Sequence, residues 1–140
     1  MIRTKNVSEC WWGFAEPINI ASINRKDEIP SGKIKGLSIT NVRCKGEGSI
    51  YIAGKDSAPI EDLTLNNIRL ELEKTTKYPI KGYDFRPCCG PDFQEGKING
   101  IYVKNAKNVK AENLEVTVHD NMKEWVDKEI CFENAVVKEK

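Results

Sequence analysis

The sequence predicts an all-β protein built as a parallel β-helix. Three observations carry this: a composition weighted towards β-branched residues, whole-segment repeats with an asparagine at a fixed place, and period-two apolar alternation that shifts phase at that asparagine. The 140 residues include 15 Ile and 9 Val against 6 Leu and 7 Ala. Branching at Cβ restricts χ1 and suits a pleated surface better than a helix. Asparagine occurs 12 times, which adds turn-forming positions between the strands.

The repeats define the elements. Residues 34–44 (I-K-G-L-S-I-T-N-V-R-C), 60–72 (I-E-D-L-T-L-N-N-I-R-L-E-L) and 106–118 (A-K-N-V-K-A-E-N-L-E-V-T-V) share one apolar pattern. Its equivalent positions are Leu37/Leu63/Val109, Ile39/Leu65/Ala111, Val42/Ile68/Leu114 and Cys44/Leu70/Val116, with Asn41, Asn67 and Asn113 in between. A second motif alternates with the first. Residues 48–53 (G-S-I-Y-I-A) and 100–105 (G-I-Y-V-K-N) share a strand opened by glycine, and 16–22 and 129–134 read as degenerate copies.

Within each Asn repeat the alternation puts Leu37 and Ile39 inward and Asn41 at the next inward position, with Val42 following at once. A bend at the asparagine restores inward pointing, and asparagine tolerates the left-handed conformation such a bend needs. Stacked turns at strand spacing would form an asparagine ladder. Coils that contact only their neighbours are the expected architecture. A sandwich of hairpins is the alternative, but Asn99-Gly100 is almost the sole hairpin dipeptide. Asn41 and Asn67 lie 26 positions apart, so 140 residues amount to four to five coils. Residues 1–140 therefore read as one β-helix domain, and a partial one.

Two stretches interrupt the pattern. Residues 73–98 hold three prolines and three glycines and are expected to leave one coil corner as a long loop. Residues 120–130 place Met122, Trp125, Val126 and Ile130 at helical spacing and predict a short amphipathic helix or turn over the last coils.

Several classes are excluded by composition. The net charge is +1, from 22 basic and 21 acidic residues, whereas a nucleic-acid or anionic-membrane partner calls for a basic excess. The longest aliphatic/aromatic stretch is Ile50–Ala53, far below a membrane span, and the first ten residues lack a secretory apolar segment. The five cysteines (Cys10, Cys44, Cys88, Cys89, Cys131) show no C-x-x-C, and His119 is the only histidine, so neither a zinc site nor any cofactor is expected. Cys44 falls in a strand pattern and reads as a small buried hydrophobe. Cys88-Cys89 reads as two free thiols in a loop rather than a vicinal disulfide.

In order, W-W-G-x-x-E-P-I-N-I-A-S, I-K-G-L-S-I-T-N-V-R-C, A-P-I-E-D-L-T-L-N-N-I-R-L, Y-D-F-R-P and G-I-Y-V-K-N-A-K-N-V-K-A-E-N-L-E-V resemble glycoside hydrolase family 28, the polygalacturonase-like, pectin-degrading enzymes. The resemblance runs from about Cys10 to Val137 and matches the C-terminal part of that family's right-handed β-helix. It implies inverting hydrolysis of galacturonide linkages, with one carboxylic acid protonating the leaving oxygen and opposing carboxylates activating water. The family's N-T-D, D-D and G-H-G motifs do not occur in this sequence. The R-I-K strand would fall near residues 17–20, where neither basic residue is kept, and Lys33-Ile34-Lys35 belongs by register to the next strand. The chain alone is therefore expected not to cleave pectin but to complete the helix and lend residues 73–98 to one side of a polysaccharide groove. A stand-alone carbohydrate-binding or oligomerising module is the competing expectation. Open solenoid ends expose strand edges, so end-to-end self-association is expected as well.

The binding candidates are Tyr83, Asp84, Arg86, Glu16 and Trp12. A guanidinium binds a uronate carboxylate through paired hydrogen bonds, and an aromatic ring stacks on a sugar face. Alternatively Asp84 and Arg86 pair to pin the long loop, Trp11 and Trp12 lie under a preceding coil, and Glu16 is a solvated carboxylate. His119 with Asp120, and the run Glu71/Glu73/Lys74, read as solvated surface.

Overall fold

The computed structural model describes residues 1–3, 16–22, 32–84 and 93–138. They form nine strands and one 3-10 helix: β1 (Ile2–Arg3), β2 (Ile18–Ala21), β3 (Ser38–Gly46), β4 (Ile50–Ala53), β5 (Ile60–Leu72), β6 (Gly82–Asp84), β7 (Phe93–Glu95), β8 (Ile101–Val118), the helix Asp120–Trp125, and β9 (Ile130–Val137). Seven strands make one curled parallel sheet in the order β1-β3-β5-β8-β4-β2, with β9 also paired to β8. The protein is all-β, as the β-branched composition requires.

Two ladders run through the sheet and meet in β8. Its first residues pair with β4 and its remainder with β5. On the first ladder Ile18, Ile50, Ile101 and Ile130 stand in register on successive strands, followed by Ile20, Ile52, Val103 and Phe132. On the second, Ile39/Leu65/Ala111, Val42/Ile68/Leu114 and Cys44/Leu70/Val116 align. Both repeat families thus superpose position by position as the sequence aligns them, including the degenerate copies at 16–22 and 129–134.

Left-handed residues place the bends. Asn41, Asn67 and Asn113 have φ of 58°, 54° and 52°. Two further columns share the conformation: Gly36, Asp62 and Asn108 (74°, 56° and 56°), and Asn105 with Asn134 (53° and 48°). Along β5 the buried residues are Ile60, Leu63, Leu65, Ile68, Leu70 and Leu72. Two positions, not one, separate the inward side chains across Asp62 and across Asn67. The expected inward asparagine is corrected here: Asn41, Asn67 and Asn113 are all exposed. Positive φ rotates the peptide plane so that the asparagine projects to solvent and the next residue turns into the core.

Side-chain bonds tie the corners together. Nδ2 of Asn67 donates to Oδ1 of Asn41 at 2.9 Å, and Nδ2 of Asn134 to Oδ1 of Asn105 at 2.8 Å. Nδ2 of Asn108 donates to Oδ1 of Asp62. In each case the amide on the later strand donates to an oxygen on the earlier one, which is why an acceptor-only Asp serves at position 62, on the strand before Asn108. Asn105 Nδ2 donates to the Gly54 carbonyl at 3.0 Å. Gly54 has no alternative there, since a Cβ would stand 2.5 Å from the Asn105 carbonyl oxygen and 2.6 Å from the Ile60 nitrogen.

After β5 the chain leaves the sheet. The described parts of 73–98 contain the antiparallel pair β6–β7, with Tyr83 opposite Gln94, and return through Ile98, which bridges to Val126. A buried ion pair anchors the departure. Glu47 is fully buried, and Lys74, 10% exposed, places Nζ 2.5 Å from its Oε1. The Thr76 hydroxyl also donates to Glu47 at 3.2 Å, and the Lys74 ammonium lies 5.6 Å from the Trp125 ring centroid. The reading of Lys74 as solvated surface is corrected: its chain folds back over Glu47 and only Glu71 and Glu73 are partly exposed. Residues 120–125 form a 3-10 helix with Met122 fully buried. The helical spacing does not extend to Ile130, because Val126 is already extended (φ −109°, ψ 126°) and Ile130 opens β9.

Two substitutions check this account in equilibrium denaturation. Asn67→Ala should destabilise by about 1–2 kcal/mol, because alanine carries the full left-handed penalty, while Asn67→Gly recovers most of the loss. Lys74→Met should cost about 3–5 kcal/mol by leaving the Glu47 carboxylate buried without its counter-ion; an unchanged unfolding midpoint would contradict the anchor.

Candidate functional site

Three tyrosines gather on the outer side of the first ladder, one of them the candidate Tyr83. Tyr51 and Tyr102 are register partners and alternate with the inward isoleucines, so both project away from the core they flank. Tyr83 arrives from β6 and completes a trio. Ring centroids are 4.9 Å apart for Tyr51–Tyr83, 5.5 Å for Tyr51–Tyr102 and 5.8 Å for Tyr83–Tyr102, the last two edge-to-face. Such pairs contribute about 0.5–1.5 kcal/mol each beyond burial. The Tyr83 hydroxyl and Ser49 Oγ lie 2.9 Å apart, and the Asn99 backbone N–H donates to the hydroxyl at 3.0 Å. Tyr102 donates to the Glu133 carboxylate.

Tyr83 is 1% exposed and Asp84 7%, so the Tyr83 ring packs on the sheet instead of presenting a face to solvent. So enclosed, the ring offers no open face for a sugar to stack on, and the pairing of Asp84 with Arg86 involves a residue outside the described ones. Glu16 is half-buried, and its charge reaches both Tyr51 and Tyr83. The structure thus brings Glu16 and Tyr83 near Tyr51, while Asp84 follows Tyr83 on β6 and is buried. Trp12 and Arg86 lie outside the described residues, as do Trp11, Cys10, Cys88 and Cys89. Cys44 is buried as expected, and burial pushes its thiol up.

All three phenols are held above their ordinary range. For Tyr51 the cause is burial, reinforced by Tyr83, Glu133 and Glu16. For Tyr102 it is burial and then the bond to Glu133. For Tyr83 burial outweighs the opposing bonds from Ser49 and Asn99.

The outer side of the second ladder is a charged surface. Arg43 and Arg69 are register partners on β3 and β5, followed by Glu115 on β8. The next outward row is Lys45, Glu71 and Thr117. Lys45 Nζ is 2.8 Å from Glu73 and 3.6 Å from Glu71, and His119 Nε2 is 2.6 Å from Glu71. Hydrogen bonding to His119 is the main reason Glu71 is held below the usual carboxylate range; Lys45 does the same for Glu73. Glu71, Glu73 and His119 hold their ligand atoms within 4.8 Å of one another, the one such group of three among the described residues, and the Lys45 ammonium supplies positive charge there. Sequence spacing gave no sign of this group, because His119 reaches Glu71 across 48 positions. The shared tyrosine of 48–53 and 100–105 was a visible signal for the trio; Tyr83, arriving from a loop, had none.

Compared with known proteins, the chain matches no family model, no curated protein and no solved structure.

The tyrosine trio has a measurable consequence. The folded state keeps phenolic protons that the unfolded chain releases above about pH 10, so this contribution to stability is complete below pH 10 and declines as pH rises further. Alkaline titration followed by phenolate absorbance should show three of the four tyrosines ionising late, together with unfolding; three normal titrations would contradict the packing.

Proposed function

We propose that the chain is a segment of a right-handed parallel β-helix of the polygalacturonase-like kind, forming a wall of a groove for pectin-type polysaccharide without supplying the bond-breaking carboxylates. The observation that carries this reading is the in-register stacking of left-handed corner residues over successive parallel strands. It is the arrangement expected of stacked coils, and it accompanies the Y-D-F-R-P and G-I-Y-V-K-N motifs on which the resemblance rests.

The missing N-T-D, D-D and G-H-G motifs support a non-catalytic role, and four carboxyl groups accord with it. An inverting hydrolase needs one carboxylic acid held above its ordinary range beside an ionised partner. Glu61, Glu71, Glu73 and Asp120 are instead all held low, by Lys33, His119, Lys45 and Lys123 respectively. Lys33, the first residue of the K-I-K stretch, is engaged with Glu61 at 2.7 Å. The described residues that follow β5 are anchored beside the sheet by Glu47–Lys74 and by Tyr83.

Co-sedimentation with insoluble polygalacturonate, with reducing ends assayed in the same tube, tests both halves. Retention without release above the protein-free rate is expected. Release would overturn the non-catalytic role; absence of retention would overturn the groove assignment.

A further inference from the structure

We infer that the outer side of the second ladder is a carboxylate-reading subsite for an acidic sugar chain, with Arg43 and Arg69 as the groups that receive the carboxylate. This rests on the reading of the chain as a polysaccharide-groove segment and assigns it a binding surface separate from the tyrosine side.

Two shallow depressions adjoin on this surface. One is lined by Arg43, Arg69, Glu71 and Glu115 among others, the second by Asn67, Arg69, Asn113 and Glu115. Arg69 and Glu115 belong to both, so the two form one continuous path. Arg43 and Arg69 lie side by side on adjacent parallel strands, where the spacing is about 4.8 Å. Like charges directly opposite each other are destabilising, and the fold relieves only one. Arg69 Nε is 3.7 Å from Glu115 Oε2, whereas the Arg43 guanidinium makes no hydrogen bond or ion pair among the described residues. Lys45, the next cation, is already engaged by Glu71 and Glu73. At the other end of the path, Asn67 bonds to Asn41, but the Asn113 amide makes no hydrogen bond among the described residues.

The unfilled hydrogen-bonding capacity is therefore a guanidinium pair at one end and a carboxamide at the other, with Glu115 between them. Guanidinium forks match a carboxylate in two parallel bonds. Carboxylate and carboxamide oxygens accept from hydroxyls. A chain bearing one carboxylate per ring and several hydroxyls uses all three. A densely charged polyanion meets Glu71 and Glu115 within the same depressions and is repelled.

The test is titration of the purified chain with trigalacturonate and, separately, with the uncharged trisaccharide galactotriose, for the wild type and for the double variant Arg43→Gln/Arg69→Gln. Both arginines are exposed, so the variant should fold, and its thermal midpoint is measured alongside. Trigalacturonate should bind the wild type, weaken with added salt, and lose about ten-fold in affinity in the variant, the scale of one charge-assisted contact. Galactotriose should bind weakly and equally to both proteins. Undiminished trigalacturonate binding in the folded variant overturns this subsite and leaves the groove reading standing. Equal binding of the two trisaccharides by the wild type overturns carboxylate recognition. Failure of the wild type to bind either trisaccharide overturns the subsite and the groove reading together.

Discussion

The left-handed corner is the constraint on which the rest of this structure depends. A strand with strict alternation has one inward face, and each bend that turns the chain around a core must reset which side chains point in. At Asp62 and Asn67 in β5, and at Asn105, Asn108 and Asn113 in β8, one residue with positive φ makes that reset. The backbone cost of about 1–2 kcal/mol for an ordinary L-residue is reduced by Asn and Asp, which also carry side chains able to bond the equivalent corner on the next strand. Corner chemistry and register then enforce each other. A one-residue slip would break the side-chain ladder and also move Leu63, Leu65 and Ile68 out of the core.

This coupling explains what the sequence disclosed. The column Asn41/Asn67/Asn113 was legible because the same residue recurs within a fixed apolar frame. The column through position 62 was harder to see, since Gly36, Asp62 and Asn108 fill one conformational role with three residue types. The inward direction of the asparagines was misjudged because period-two counting has no means of representing a rotated peptide plane. Lys74 was misread for a related reason. Its sequence neighbours Glu71 and Glu73 are partly exposed, and its own burial depends on Glu47 and Trp125, 27 and 51 positions away. The site was legible in part: the tyrosine shared by 48–53 and 100–105 marks two members of the trio, but the arrival of Tyr83 beside them depends on β6, which the repeats do not contain.

The two outer sides of the sheet have opposite characters, although the same strands build them. On the first ladder an excursion of the chain covers aromatic rings and excludes water, which holds the three phenols protonated. On the second the outward rows stay open and carry both charges, with Arg43 beside Arg69 on adjacent strands and Lys45 beside Glu71. The described part of this excursion brings Tyr83 onto the first ladder and Glu73 to Lys45 on the second. Register on either side of it is undisturbed, with Leu72 and Val118 still paired.

The parallel register also governs how the chain can fold. The shortest separation between paired residues in the main sheet is the 26 positions from Ile39 to Leu65, and Ile50 and Ile101 are 51 apart. Among the described residues only the small pair β6–β7 is more local, with Gly82 opposite Glu95. Loop-closure entropy must therefore be met before the sheet gains its first ladder bond. Such a chain has high contact order and folds slowly for its size, and unpaired apolar strands persist while it does so. The asparagine corners counter this by pre-bending each strand locally, so that every arriving segment already has the shape of the level on which it docks.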